Sequence, residues 1–184
     1  MKLISLFILG VMAVSTNALA QAPADTIDTA LLAAPARLRE EATVIRWKPD
    51  HTYETLKKGT NRLVCYDRSG FPLERPFSVE CTSIGNLERV AQNLKFEAAG
   101  ADDESKTQAL LDAAEKDGTR VKPEYGSIFY NFRGSDRERA TRHTTIAVPG
   151  ATSQSTGLPD TRDQGGAWVM FAGTTSAHIM VPGR

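Results

Sequence analysis

The sequence predicts an α+β fold: a single domain on a largely antiparallel sheet, with two central helices and a C-terminal hairpin. Three observations carry this. Short β-branched and aromatic runs, punctuated by Gly, Pro, Asn and Asp, fill the stretch from Ala42 to Cys81 and return after Ser127. Between them, apolar residues recur at three-to-four spacing from Ile84 to Ala114. Strands, then helices, then strands again is the order of an α+β domain. The 184 residues suit one domain, long enough to bury a core without metal or dense cross-links.

Met1–Ala20 has the layout of a secretory signal peptide: a charged start at Lys2, an apolar run from Leu3 to Val14, and Ala18-Leu19-Ala20 before Gln21. The run is too short to span a bilayer, which takes roughly 20 residues. A cut after Ala20 places the chain in the periplasm or outside the cell, with no stable membrane anchor. Residues 21–41, rich in Ala, Pro and Asp, read as a flexible lead-in with a short helix over Asp28–Ala34 stopped by Pro35. The α+β domain then occupies residues 42–184.

Within it, Ala42–Trp47, Tyr53–Leu56, Arg62–Tyr66 and Phe77–Cys81 read as strands. Lys58–Asn61 and Asp67–Gly70 read as turns, and Phe71–Pro76 as an irregular excursion. Ser83 caps a helix with Ile84, Leu87, Val90, Ala91 and Leu94 on its apolar face, ended by Gly100. Asp102 or Asp103 caps a second helix, with Ala109, Leu110, Ala113 and Ala114 as its apolar side and Gly118 at its stop. Ser127–Phe132 and His143–Val148 return to strand. Ala151–Gly166 is a long polar loop, of the kind that is often either functional or disordered. Ala167–Ala172 and Ala177–Val181 flank Gly173–Ser176 as a closing hairpin.

Charge excludes some functions. Lys and Arg total 22 against 22 Asp and Glu, so no broad field draws nucleic acid or acidic membranes. Cys65 and Cys81, an even pair in an exported chain, read as a disulfide. No phosphate-binding, dinucleotide, zinc or EF-hand pattern occurs, so no cofactor is implied.

A few side chains are chemically suggestive. His178 and Met180 point to one face of a strand, and Met170 lies in the facing run; soft sulfur with imidazole suits Cu(I). His143 opens a strand near Ser127, Ser135 and Asp136, a base without a defined triad. Trp47, Tyr53, Tyr66, Trp168 and Phe171 supply aromatic surface for a groove or for the core.

Three stretches, Leu56–Cys65 with its Gly59-Thr60-Asn61, Gly126–Tyr130, and Ala177–Pro182 with its His178-Ile179-Met180, resemble a loose group of exported bacterial proteins without an assigned activity. In that group an LR-x-GTN-x-x-x-C strand precedes the helices and an HLM or HIM strand followed by Pro ends the chain. Here Lys57 stands where the group has Arg, and Pro182 follows Met180 after one residue. The resemblance implies export and a single domain, and transfers no catalytic residue.

The expectation is an exported binding or structural module for a small molecule or a protein. Its cleft would lie between the sheet and the Ala151–Gly166 loop, beside His178, Trp168 and Tyr130. The alternatives are a hydrolase using His143 or His178 as base, and a copper-binding protein using His178 with Met170 and Met180.

Overall fold

The computed structural model describes residues 22–183; the expected leader lies outside them. Eight strands, β1 (Thr43–Trp47), β2 (Tyr53–Lys57), β3 (Leu63–Asp67), β4 (Phe77–Ser83), β5 (Ile128–Gly134), β6 (Thr141–Ala147), β7 (Trp168–Met170) and β8 (His178–Pro182), form one sheet. Its order is β2-β1-β3-β4-β5-β6-β8-β7. Every pair is antiparallel except β1 with β3. With helices α1 (Ala22–Ala30), α2 (Leu87–Gly100), α3 (Glu104–Lys116) and the short α4 (Ser153–Thr156), this is the expected α+β domain with two central helices. The closing hairpin forms as well, β7 pairing β8 with Met170 opposite His178.

Helices cover both faces of the sheet. On one face, Leu87, Val90 and Leu94 of α2 pack on Ile45, Val64 and Tyr66. On the other, Ala30, Leu31, Ala33 and Ala34 pack on Val44, Cys65, Val79, Cys81 and Phe132. The lead-in reading of residues 21–41 is therefore corrected. From Ala22 this segment is α1 followed by two 3-10 turns, and its small side chains form one wall of the core. Alanine permits this, because a chain of small residues approaches a sheet closely.

Cys65 and Cys81 face each other across β3 and β4 and form a buried disulfide. Their separation of 16 residues corresponds to about 3 kcal/mol in the chain-entropy view of the unfolded state.

The Gly59-Thr60-Asn61 turn locks the N-terminal wall to the sheet. Glu41 carbonyl accepts from the N–H of Thr60 (2.8 Å) and of Asn61 (3.1 Å). Asn61 donates to the Leu38 carbonyl at 3.0 Å and accepts from the Leu63 N–H at 2.8 Å. Lys57 Nζ caps the carbonyls of Glu40 and Ala42 at 2.5 and 2.8 Å. The Gly59-Thr60-Asn61 stretch thus serves architecture at this position.

Two helix details differ from the sequence reading. Ile84 sits in a 3-10 turn ahead of α2, which shifts its phase and leaves it half exposed. In α3 the inner face carries Thr107, Leu110, Leu111 and Ala114, whereas Ala109 and Ala113 face outward. The pivot is Gly100: a Cβ there would lie 2.0 Å from Thr107 Oγ1, so glycine lets α3 approach α2. The stop itself is Ala101, in the left-handed region at φ 50°.

At Gly59 a Cβ would lie 2.1 Å from the Glu41 carbonyl oxygen and 2.4 Å from the Ala42 carbonyl carbon, both backbone. Gly59→Ala is expected to cost about 2 kcal/mol or more by overpacking. Urea denaturation followed by circular dichroism checks this; unchanged stability would show that the turn is not a lock.

Candidate functional site

The sheet face under α2 and α3 carries a polar cleft. Strand alternation presents Tyr66, Glu80, Phe129, Asn131, Thr145, Ala147 and His178 on this face, as the cross-strand register requires. α2 contributes Arg89, Val90, Asn93 and Glu97, and α3 contributes Leu111 and Glu115. Arg120 closes it from the segment between α3 and β5, and Phe171 stands at the mouth. The cleft volume is about 320 Å³.

Two charged groups meet there. The first is centred on Arg68, buried between three carboxylates: Glu97 at 2.5 Å, Glu74 at 3.2 Å and Glu80 at 4.0 Å. Burial pulls the Arg68 guanidinium down, but Glu80, Glu97 and Glu74 outweigh it and hold it above its ordinary value. Burial pushes the Glu80 and Glu97 carboxyls up, with Arg68 opposing. The buried Tyr66 hydroxyl donates to Glu80 Oε1 at 2.5 Å, and burial with the adjacent Glu80 charge keeps the phenol protonated.

The second group is Arg89 and Arg120, 8% and 6% exposed. Arg89 donates to the Val121 carbonyl and, at 2.8 Å, to Ser176 Oγ. Arg120 donates to the side-chain carbonyls of Gln92 and Asn93 and lies over the Phe96 ring. Among the described residues neither forms an ion pair within 4.0 Å, and Arg120 Nε is buried without a hydrogen-bond acceptor. Burial, then the neighbouring Arg120 charge, lowers Arg89 to about 10; burial also lowers Arg120. Glu115 answers both charges from beyond ion-pair range, and Glu97 also acts on Arg120. Burial disfavours ionisation of Glu115, but the Thr175 hydroxyl and N–H and the two more distant guanidiniums win, holding it below the usual carboxylate range.

The sequence-derived site residues divide. His178 lines the cleft, its Nδ1 2.9 Å from the Ser176 carbonyl and its ring 5.7 Å from that of Phe171. Trp168 shares the sheet face of His178 through its pairing with Met180, but does not border the cleft. Tyr130 is on the opposite face, against the disulfide-side core, because it pairs with Cys81 and Thr144. The cleft itself is therefore displaced from the expected place. None of Ala151–Gly166 lines it; that segment carries α4, is capped by Thr152 and Ser155, and docks through Pro159 on Val169. Of the suggestive aromatics, Phe171 reaches the cleft, with an exposed ring on a left-handed backbone (φ 52°), a strained state that favours functional positions. Trp47 stacks edge-on between Tyr53 and Tyr66.

Met170 lies directly opposite His178, and Met180 two residues along β8 on the same face. No histidine nitrogen among the described residues bonds a serine or threonine hydroxyl or a carboxylate, so the geometry supplies no base–nucleophile pair. Among those residues there is also no His, Cys, Asp and Glu group suited to a metal ion.

Arg89 and Arg120 escaped the sequence reading. A signal exists: Asn86, Arg89, Asn93 and Glu97 recur at helical spacing beside the apolar stripe of α2. No family model matches the chain, and no curated protein and no solved structure is significantly similar to it.

Burial, opposed by the Ser176 carbonyl and assisted by Arg89, lowers the His178 pKa below 6.5. A depressed imidazole contributes stability that is present above pH 6.5 and is lost as pH falls through its folded value. A proton NMR titration should place the His178 midpoint below 6.5, and Arg89→Gln should raise it by removing a like charge. An unmoved midpoint would separate His178 from the arginine pair.

Proposed function

We propose that this chain is an exported binding protein that takes a small molecule in the cleft between α2, α3 and the sheet. The carrying observation is the cleft: about 320 Å³, concave, with apolar walls from Val90, Leu111 and Phe129 and converging polar groups. Ligand sites have this size and lining. Export is supported by the leader sequence and by the disulfide, which persists in an oxidising compartment. The resemblance to exported bacterial proteins points the same way. The described part of the N-terminal wall, from Ala22 onward, lies beyond a cut after Ala20. Among the described residues, no helix is long and apolar enough to cross a membrane.

Leu111→Trp tests the reading by filling the cleft from the half-buried face of α3. In a thermal-shift screen of small molecules, a ligand at 100 times its Kd stabilises by about 2.7 kcal/mol. Hits are expected to raise the melting temperature of the wild type and leave Leu111→Trp unmoved. Equal shifts in both proteins would place binding elsewhere.

A second reading has one observation in its favour. The register that sets Met170 against His178, with Met180 on the same face, supports Cu(I) capture by two thioethers and the free His178 Nε2. Titration of Cu(I) under reducing conditions is expected to show one site in the wild type and a loss of about tenfold or more in affinity in His178→Ala. Equal binding by both proteins ends that reading.

A further inference from the structure

The arginine pair narrows the ligand. Buried charges are ordinarily matched by a partner of opposite sign, because the cost of desolvating an ion is several kcal/mol. Arg68 obeys this with three carboxylates. Among the described residues Arg89 and Arg120 form no ion pair within 4.0 Å, and Glu115 acts on both and Glu97 on Arg120 only from farther off. Both are more than nine-tenths buried, both border the cleft, and Arg120 adds a like charge near Arg89. Their hydrogen bonds to Val121, Ser176, Gln92 and Asn93 run to neutral acceptors. Those bonds tie the α3–β5 connection to α2, a task for which a neutral donor suffices. The buried Arg120 Nε donor is left without an acceptor. Glu115 has its oxygens turned to Thr175, beyond ion-pair range of either guanidinium.

We propose that Arg89 and Arg120 bind the carboxylate of a small organic monoacid, whose apolar body lies against Leu111, Phe129 and Phe171. This rests on the cleft being a small-molecule site. A guanidinium offers a planar fork of donors that matches a carboxylate. The apolar walls call for a body beyond the charged head. The surrounding Glu80, Glu97, Glu115 and Asp112 limit how much added negative charge the site accepts, which favours a monoanion over a doubly charged phosphate.

The test uses three probes at equal ionic strength: benzoate, its neutral analogue benzamide, and inorganic phosphate. Binding to the full chain is read from the arginine Nε–H signals in a proton–nitrogen correlation spectrum, assigned with Arg89→Lys and Arg120→Lys. Benzoate is expected to move the Arg120 signal saturably, with benzamide and phosphate each weaker by about tenfold or more. Arg120→Gln should weaken benzoate by about tenfold, and Arg120→Lys by less, since charge is kept and the fork lost. Should Arg120→Gln fail to give a folded amide spectrum, Arg89→Gln replaces it, and the benzoate-to-benzamide ratio needs neither variant. Benzamide binding within about twofold of benzoate would overturn the acid assignment and leave the cleft reading standing. Phosphate binding more tightly than benzoate would overturn the organic monoacid. No response to any of the three would overturn the acid assignment, while the thermal-shift comparison of wild type with Leu111→Trp decides the cleft reading separately.

Discussion

Burial of β4 on both faces is the constraint from which the remaining arrangement follows. Residues 78–82 of this strand are all buried, so period-two alternation commits each one to a layer. Val79 and Cys81 go to the side of α1; Ser78, Glu80 and Thr82 go to the other, which α2 covers. A one-residue slip would exchange the sets, setting Glu80 against the alanine wall and Cys81 against α2. Cys65 meets Cys81 because β3 and β4 keep this register, and Tyr66 meets Glu80 for the same reason. The disulfide and the ionic cluster are therefore two consequences of one alignment, on opposite sides of one strand.

The same alignment decides where chemistry can occur. The disulfide face over β3 and β4 is closed by close-packed small residues from α1 and the turns behind it. The other face is spanned by α2, with α3 held to it through Gly100 and Thr107. α3 packs on α2, and a gap remains beneath it over β5, β6 and β8. Polar residues of α2 that would be solvated on an outer helix turn into that gap. Burial then lowers the affinity of Arg89 and Arg120 for their protons, and raises that of Glu80 and Glu97.

Much of the fold was legible because its elements have local causes. The strands around Val44, Val64 and Val79, the Asp103 cap of α3 and the Gly118 stop all follow from propensity and capping. What escaped depended on contacts distant in sequence. Residues 22–38 looked mobile because alanine carries little pattern; their order comes from docking on β3, β4 and β5. A polar loop feeding an aromatic hairpin suggests one cleft for Tyr130 and His178, yet only cross-strand register shows that they lie on opposite faces. The long Ala151–Gly166 loop drew attention by length and polarity, whereas the cleft is made by helix residues whose charges resembled an ordinary solvated face.

The two arginine clusters show how differently one face can balance charge. Around Arg68 the chain supplies its own counter-charges and accepts the cost of crowding three carboxylates about one cation. Around Arg89 and Arg120 it supplies neutral acceptors and two carboxylates turned elsewhere, Glu115 to Thr175 and Glu97 to Arg68. The first arrangement is ion-paired, although Arg68 Nε and Glu74 Oε2 stay without a hydrogen-bond partner, and it stiffens the junction of β3, β4 and α2. Among the described residues the second leaves two guanidiniums without an ion-pair partner within 4.0 Å in a place of low dielectric, where a single anion gains most from Coulomb attraction. Such an anion would also supply an acceptor to the unpartnered Arg120 Nε and lower the mutual repulsion of the pair. Binding and stability would then be linked through the same atoms, since whatever relieves the two guanidiniums also fixes α2 to the α3–β5 connection and to the turn before β8.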